Sequence, residues 1–285
     1  MNVLVTGGSG FIGSHIVDAL LKTGHRVRVF DIKKPYSNKA EFIKGDLRSR
    51  QDIALVVKGQ DAVYHIGAFS NIDLVKDNPL EAIESNIMGT AYLLEQCRLA
   101  GIRRFLFASS IYLCGSQGHI YTTTKLAGEM LCKNYYLLYG LDYTILRFAT
   151  AYGPRSRGED VVSIFVGKAL NNDEMVIHGS GGQKRNFTYV QDIAEGSVAA
   201  LNPAGANKTF VLSSGSAVSI KELAFMVKDA LSSDSVIRVD ESRQRQDDYA
   251  GDVEGLEDTR RQLSWSARIT LRAGIIKYKD WSTKR

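Results

Sequence analysis

The first thirty-one residues constrain what this chain can fold into more than any other stretch. Asn2-Val3-Leu4-Val5-Thr6 is a short apolar run that breaks into Gly7-Gly8-Ser9-Gly10-Phe11-Ile12-Gly13. From Phe11 to Leu21 the apolar residues recur at helical spacing, and His25 to Phe30 read as a second strand closed by Asp31. A strand that feeds glycines into a helix N-terminus turns backbone N–H groups and the positive helix end toward a pyrophosphate, and the missing side chains let the phosphates come close. Gly7, Gly10, Phe11, Ile12 and Gly13 are therefore candidate cofactor contacts. Asp31, about twenty residues past the turn, is placed to hydrogen-bond the hydroxyls of an adenosine ribose. A carboxylate there repels a 2′-phosphate, which selects NAD. Lys33 and Lys34 follow at once and read as a solvated loop.

The alternation continues past Asp31. Glu41–Lys44 is a third expected strand, Arg50–Lys58 a helix, and Asp61–Ile66 a fourth strand. Asn78-Pro79 opens a long helix to about Ala100, with asparagine as cap and proline in the first turn. Arg104–Ala108 is a fifth strand. Strands separated by helices mean parallel strands joined by right-handed crossovers, with ligands at their carboxyl ends. The expected fold is α/β, a Rossmann-type doubly wound parallel sheet with a smaller interleaved C-terminal substrate domain. At 285 residues the chain is long enough for that arrangement. Residues 1–155 make the NAD-binding part, rejoined by 184–212; residues 156–183 and 213–285 make the smaller substrate-binding part. In this second half, Val161–Leu170, Asp192–Leu201, Ser219–Leu231 and Leu271–Trp281 read as helices, and Glu174–Ile177 and Thr209–Leu212 as strands.

Composition removes several classes of function. The net charge of +5 is spread along the chain, with no basic cluster interleaved with aromatics, so no nucleic-acid partner is expected. No apolar run reaches membrane-spanning length, so no membrane partner is expected either. The three cysteines, Cys97, Cys114 and Cys132, are far apart and lack metal-ligand spacing. They read as free thiols without a metal, which suits the cytoplasm.

Chemistry concentrates after the fifth strand, which ends in Ser109-Ser110. Tyr121-Thr122-Thr123-Thr124-Lys125 opens a helix reaching about Tyr139. Tyrosine and lysine four residues apart share a helix face, so an ammonium lies near a phenol. A nearby cation favours phenolate, which makes Tyr121 a candidate general base on a substrate hydroxyl, with Lys125 as its tuner. Ser110 is placed to hold the same oxygen.

These motifs together resemble the NAD-dependent nucleotide-sugar epimerase/dehydratase family of extended short-chain dehydrogenase/reductases. The likeness is carried by Thr6 to His15, Gly45-Asp46-Leu47, His65-Ile66-Gly67-Ala68, Asn86, Ser109-Ser110, Tyr121 with Lys125, Arg147-Phe148 through Tyr152-Gly153-Pro154-Arg155, Arg185 to Val190, and Leu263-Ser264-Trp265. The resemblance implies that Asp46 and Leu47 flank the adenine, that Ile66, Gly67, Ala68, Asn86 and Ser109 line the cofactor, and that Phe148 and Ala149 lie near the nicotinamide. Tyr121 and Lys125 would touch the cofactor as well. For a nucleotide-sugar substrate it implies Thr150 and Arg185, with Arg245 as a further candidate, since arginine's planar fork binds phosphate oxygens in pairs. Asn86 also reads as a cap on backbone groups, Phe148 as core, and His65 and His119 as structural or solvent-facing. Family members form dimers, so a homodimer through the helices starting at Pro79 and Tyr121 is expected.

Within the family the residues after the catalytic serine separate the reactions. Dehydratases carry an aspartate and a glutamate there, decarboxylases keep the glutamate, and the fucose-synthesising reductases place a cysteine where Ile111 stands. Here Ile111 and Tyr112 fill both acid positions, and neither can do that proton work. Epimerisation needs only NAD, the serine and the Tyr–Lys pair: a 4-keto intermediate forms and is reduced from the other face. The expectation is 4-epimerisation of a UDP-sugar. Three departures keep alternatives open: a short connection from Gly115 to Tyr121, Thr150 in place of the family's asparagine, and Asn186 in place of its aspartate. The alternatives are an NAD-dependent dehydrogenase or reductase of another carbonyl substrate, and a catalytically inactive dinucleotide sensor.

Overall fold

The computed structural model describes residues 1–114, 120–242 and 253–284. Strand β1 (Asn2–Thr6) runs into helix α1 (Phe11–Lys22), followed by β2 (Arg26–Asp31), β3 (Glu41–Lys44), α2 (Arg50–Val56) and β4 (Ala62–His65). Three helices, α3 (Ile72–Asp77), α4 (Pro79–Ile83) and α5 (Gly89–Leu99), precede β5 (Arg104–Ser110); α6 (Ile120–Tyr139) leads to β6 (Asp142–Phe148) and β7 (Thr150–Tyr152). The second half comprises α7 (Val161–Leu170), β8 (Met175–His178), β9 (Lys184–Arg185), β10 (Phe187–Tyr189), α8 (Val190–Ala199), β11 (Lys208–Leu212), β12 (Val218–Ser219), α9 (Ile220–Ala230), β13 (Ile237–Asp240), α10 (Leu256–Leu263) and α11 (Leu271–Ser282).

Seven strands form the central sheet in the order β11-β6-β5-β4-β1-β2-β3, and every pairing in it is parallel. A parallel sheet is covered on both faces, so its strands are apolar in both directions. In β1, Val3 and Val5 join one core with Ile16, Leu20, Leu146, Phe210 and Trp265, while Leu4 joins the other with Phe30, Leu93, Phe105, Phe107 and Cys132. Helices α1 and α8 pack together on the first face, and α2, α5 and α6 pack on the second. The strand order reverses between β1 and β4, and open α/β sheets bind ligands at the carboxyl ends of the strands at such a point. A third core gathers Tyr152, Phe165, Met175, Phe187, Leu223 and Ile275 from β7, α7, β8, β10, α9 and α11.

This is the Rossmann-type sheet the sequence predicts, with three local differences. Asp142–Phe148, which carries no expected element, is β6, a sheet strand between β5 and β11. The helix expected from Pro79 to Ala100 is interrupted by a π-turn over Glu84–Met88, where the Gly89 N–H donates to Glu84 O, five residues back. Asn78 precedes α4 without capping it, and its side-chain amide donates to Leu74 O near the end of α3. No described helix is long and apolar enough to cross a membrane.

Candidate active site

The glycine turn meets Gly67 at the switch point. Gly7 has φ +69°, and a Cβ there would lie 2.5 Å from Gly67 Cα; a Cβ on Gly13 would lie 2.1 Å from Gly7 O. Both positions therefore exclude side chains. Gly10, whose N–H donates to Gly7 O, precedes α1 with no side-chain cap, and no acid stands in the helix's first turn. The helix start, with Phe11, Ile12 and Gly13, thus presents its positive end without an internal anion, as a bound pyrophosphate requires. At the end of β2 the Asp31 carboxylate accepts from Ser9 N (3.0 Å) and Lys33 N (3.0 Å), which fixes it beside the turn. An adenosine ribose fits that acceptor, and these residues fit NAD.

Asp46 is clamped by Arg48, whose Nη2 donates to Oδ2 at 2.6 Å while Nη1 reaches Glu81 at 3.0 Å. The Arg48 hydrogen bonds hold the Asp46 carboxyl below the usual carboxylate range. Leu47 packs against Gly67 and Gly89: a Cβ on Gly67 would lie 2.9 Å from its Cδ1, and one on Gly89 would lie 3.1 Å from its backbone O. Ile66 N and Gly67 N both donate to Thr6 O, which turns Ile66, Gly67 and Ala68 out of β4 beside the glycine turn. Asn86 is buried: its Oδ1 accepts from Phe69 N (2.7 Å), and its Nδ2 donates to Phe69 O (3.0 Å) and Thr124 Oγ1 (3.1 Å). The cap on backbone groups is thus present, and it ties the loop after β4 to α6.

At the end of β5 the Ser110 backbone pairs with Phe148 of β6, and Phe148 packs into the core on the α1 side. Lys125 lies one helical turn beyond Tyr121; its Nζ donates to Ala108 O (2.8 Å) and stands 5.0 Å from the Phe107 ring centre and 5.8 Å from that of Tyr121. Burial pushes the Lys125 ammonium down to about 8. Ser109 points to the opposite face from Ser110, as strand alternation dictates. Its hydroxyl donates to Glu129 Oε1 (2.7 Å), and Arg147 donates to both Glu129 oxygens at 2.9 and 2.8 Å. Glu129 is 1% exposed and was missed by the sequence reading; the available signal was its place four residues past Lys125 on the same helix face. Ile111 packs with Ala149, Val211 and Val253 in a small apolar cluster. Thr150 starts β7 and pairs with Phe187; Arg185 ends β9 and pairs with Val218, its Nη1 donating to Lys184 O. Arg245 and His119 lie outside the described residues, as does the connection at 115–119. Among the described residues no group of three or more His, Cys, Asp or Glu could hold a metal.

The chain belongs to the NAD dependent epimerase/dehydratase family, whose model matches residues 3–213. It is 33% identical to a putative UDP-glucose 4-epimerase of Methanocaldococcus jannaschii over 98% of this chain and 97% of that protein. It is also 32% identical to a UDP-N-acetyl-alpha-D-glucosaminuronate decarboxylase of Bacillus cytotoxicus over 78% of this chain and 77% of the relative. The crystal structure of a Thermotoga maritima UDP-glucose 4-epimerase with UDP-glucose matches with a TM-score of 0.92 at 26% identity, covering 100% of this chain and 99% of the other. Family membership makes NAD the cofactor. Relatives named for two different reactions leave the reaction to the site.

Proposed function

We propose that this chain is an NAD-dependent nucleotide-sugar epimerase that inverts C4 of a UDP-sugar. The observation that carries the reading is Ile111: the position after Ser110, where elimination draws on an aspartate, holds a side chain 4% exposed and packed against Ala149 and Val211, and Tyr112 stands where dehydratases and decarboxylases carry the glutamate. Tyr121 takes the proton of the C4 hydroxyl, the Lys125 ammonium favours the phenolate, and Ser110 holds the reacting oxygen. Burial helps here, because at a pH below about 8 Lys125 keeps its charge in a low-dielectric site where it acts strongly on Tyr121. The chemistry NAD supplies when bound is removal of a hydride from C4 and its return to the other face. Gly7, Gly10, Phe11, Ile12 and Gly13 take its pyrophosphate, Asp31 the ribose, Asp46 and Leu47 the adenine, and Ile66, Gly67, Ala68, Asn86 and Phe148 line the rest. Arg185 and Arg245 take the substrate diphosphate. Thr150, shorter than the family's asparagine, leaves that end of the site less crowded.

The part built on the third core covers the substrate in this reading. Leu126, Met130 and Leu137 of α6 are 48%, 57% and 75% exposed, which supports pairing of α6 with a second copy in a homodimer; light scattering checks it, and a monomer at micromolar concentration removes it. Cys97 and Cys132 are buried free thiols, in keeping with a reducing compartment. Incubation with UDP-glucose, UDP-galactose, their N-acetyl forms and UDP-glucuronate tests the activity. Interconversion of a C4 pair without net NADH supports it, and loss of carbon dioxide or water, or no turnover on any of them, ends it.

A further inference from the structure

A line of buried hydrogen bonds runs from the glycine turn to the helix that carries Tyr121. Thr6, His65, Asn86, Thr90 and Thr124 are each 3% exposed or less. Thr6 Oγ1 lies 2.8 Å from His65 Nδ1, and His65 Nε2 lies 2.9 Å from Thr90 Oγ1. Thr90 Oγ1 donates to Asn86 O at 2.6 Å, Asn86 Nδ2 donates to Thr124 Oγ1 at 3.1 Å, and Thr124 Oγ1 donates to Tyr121 O at 2.8 Å. At the other end the single Gly67 N–H, given mainly to Thr6 O at 3.0 Å, is shared with Thr6 Oγ1 at 3.3 Å, and Gly67 is the residue against which Gly7 of the dinucleotide turn is pressed.

Counting protons fixes the direction of every link. A threonine hydroxyl has one hydrogen to give. Thr90 gives its hydrogen to Asn86 O, so it must accept from His65, and Nε2 carries the imidazole proton. Thr6 then gives its hydrogen to the bare Nδ1 and accepts from Gly67 N. Thr124 gives its hydrogen to Tyr121 O and accepts from Asn86. No member is left short and no two hydrogens collide. The pocket agrees: the rings of Phe105 and Phe107 flank His65, each centred 5.8 Å away, and burial together with the Lys125 charge holds the imidazole down at about 3, so it stays neutral. The line crosses the π-turn at Glu84–Met88, whose one-residue slip breaks the regular helical register between α4 and α5, a feature often found at functional sites.

We infer that His65, held as the neutral Nε2–H tautomer, is a positioning residue through which occupancy of the dinucleotide turn orders the first turn of α6. A ligand that stills Gly7 and Gly67 stills Thr6, and each further link loses less freedom once the one before it is fixed. The inference deepens the function proposed above, since the ordered turn carries Tyr121, but the line itself does not depend on the reaction.

The test uses ADP, which fills the adenosine and pyrophosphate positions and lacks the nicotinamide half that would touch Tyr121 directly. Hydrogen–deuterium exchange of the full chain is followed with ADP at a concentration that slows exchange across 7–13. The expected result is at least threefold slowing across 84–90 and across 120–126 as well. Thr90→Val, close in shape, should keep the effect at 7–13 and lose it at both distant segments, and Thr90→Ser should restore it. Thr124→Val should keep the effect at 84–90 and lose it at 120–126. A general loosening of the fold would speed exchange in every state and leave the ADP-dependent difference in place. Wild-type protein in which ADP slows 7–13 but neither distant segment, or Thr90→Val protein that keeps the full response, overturns the inference. No arm needs turnover, so failure of the epimerase reading and failure of this one are separately visible.

Discussion

Lys125→Met should make the protein more stable at neutral pH while abolishing its turnover, and the gain should vanish in alkali. Lys125 is 4% exposed, with one hydrogen bond to a backbone carbonyl and aromatic faces nearby. Its ammonium falls from an ordinary 10.5 to about 8, chiefly through desolvation. That fall corresponds to about 3 kcal/mol of folding free energy set against the charged form. Methionine removes the charge and keeps an unbranched chain of similar length, while the lost bond to Ala108 O costs about 1 kcal/mol. The net expectation is a gain of about 2 kcal/mol at pH 7. Because the folded value lies below the unfolded one, the penalty is complete below pH 8, and between pH 8 and 10.5 the unfolded chain holds more protons, so wild-type stability rises relative to the variant. Urea unfolding of both proteins at pH 7, 9 and 10.5 reads the difference directly, with the other lysines common to both. A variant less stable than wild type at pH 7, or a gap independent of pH, would refute the reasoning.

Two further predictions concern the cofactor site. Gly13→Ala should lower NAD affinity at least about tenfold by calorimetry, because the new methyl would lie 2.1 Å from Gly7 O, whereas Gly24→Ala, with nothing within 4 Å, should cost stability of about 1 kcal/mol and leave NAD affinity unchanged. Asp31→Asn keeps an acceptor for Ser9 N but removes the charge, so the preference for NAD over its 2′-phosphorylated form should shrink by about tenfold in paired titrations.

The parts of this molecule written in local sequence were legible and the parts written across it were not. The glycine turn, the strands through β5 and the Tyr121–Lys125 pair each depend on spacings of a few residues, and the structure sets the turn after β1, and Lys125 against Ala108 O near the end of β5. Strand β6 escaped because Asp142–Phe148 mixes polar and apolar residues without a clean period, its partners β5 and β11 supplying the context that decides it. The π-turn escaped because no breaker residue marks Glu84–Met88 in the sequence. Glu129, Arg147 and Ser109 form one cluster around the buried Glu129 carboxylate from three elements, and His65 bonds Thr6 across 59 positions of chain. The residues that separate reactions, Ile111 above all, were visible as identities; the structure adds that Ile111 is packed away.

The measurement that bears most directly on the account follows a label through turnover. With UDP-glucose deuterated at C4 and enzyme carrying bound NAD, removal and return of one hydride predicts UDP-galactose that keeps its deuterium at C4, with no accumulation of NADH. Product that exchanges the label with solvent, or NADH formed in step with product, would contradict it.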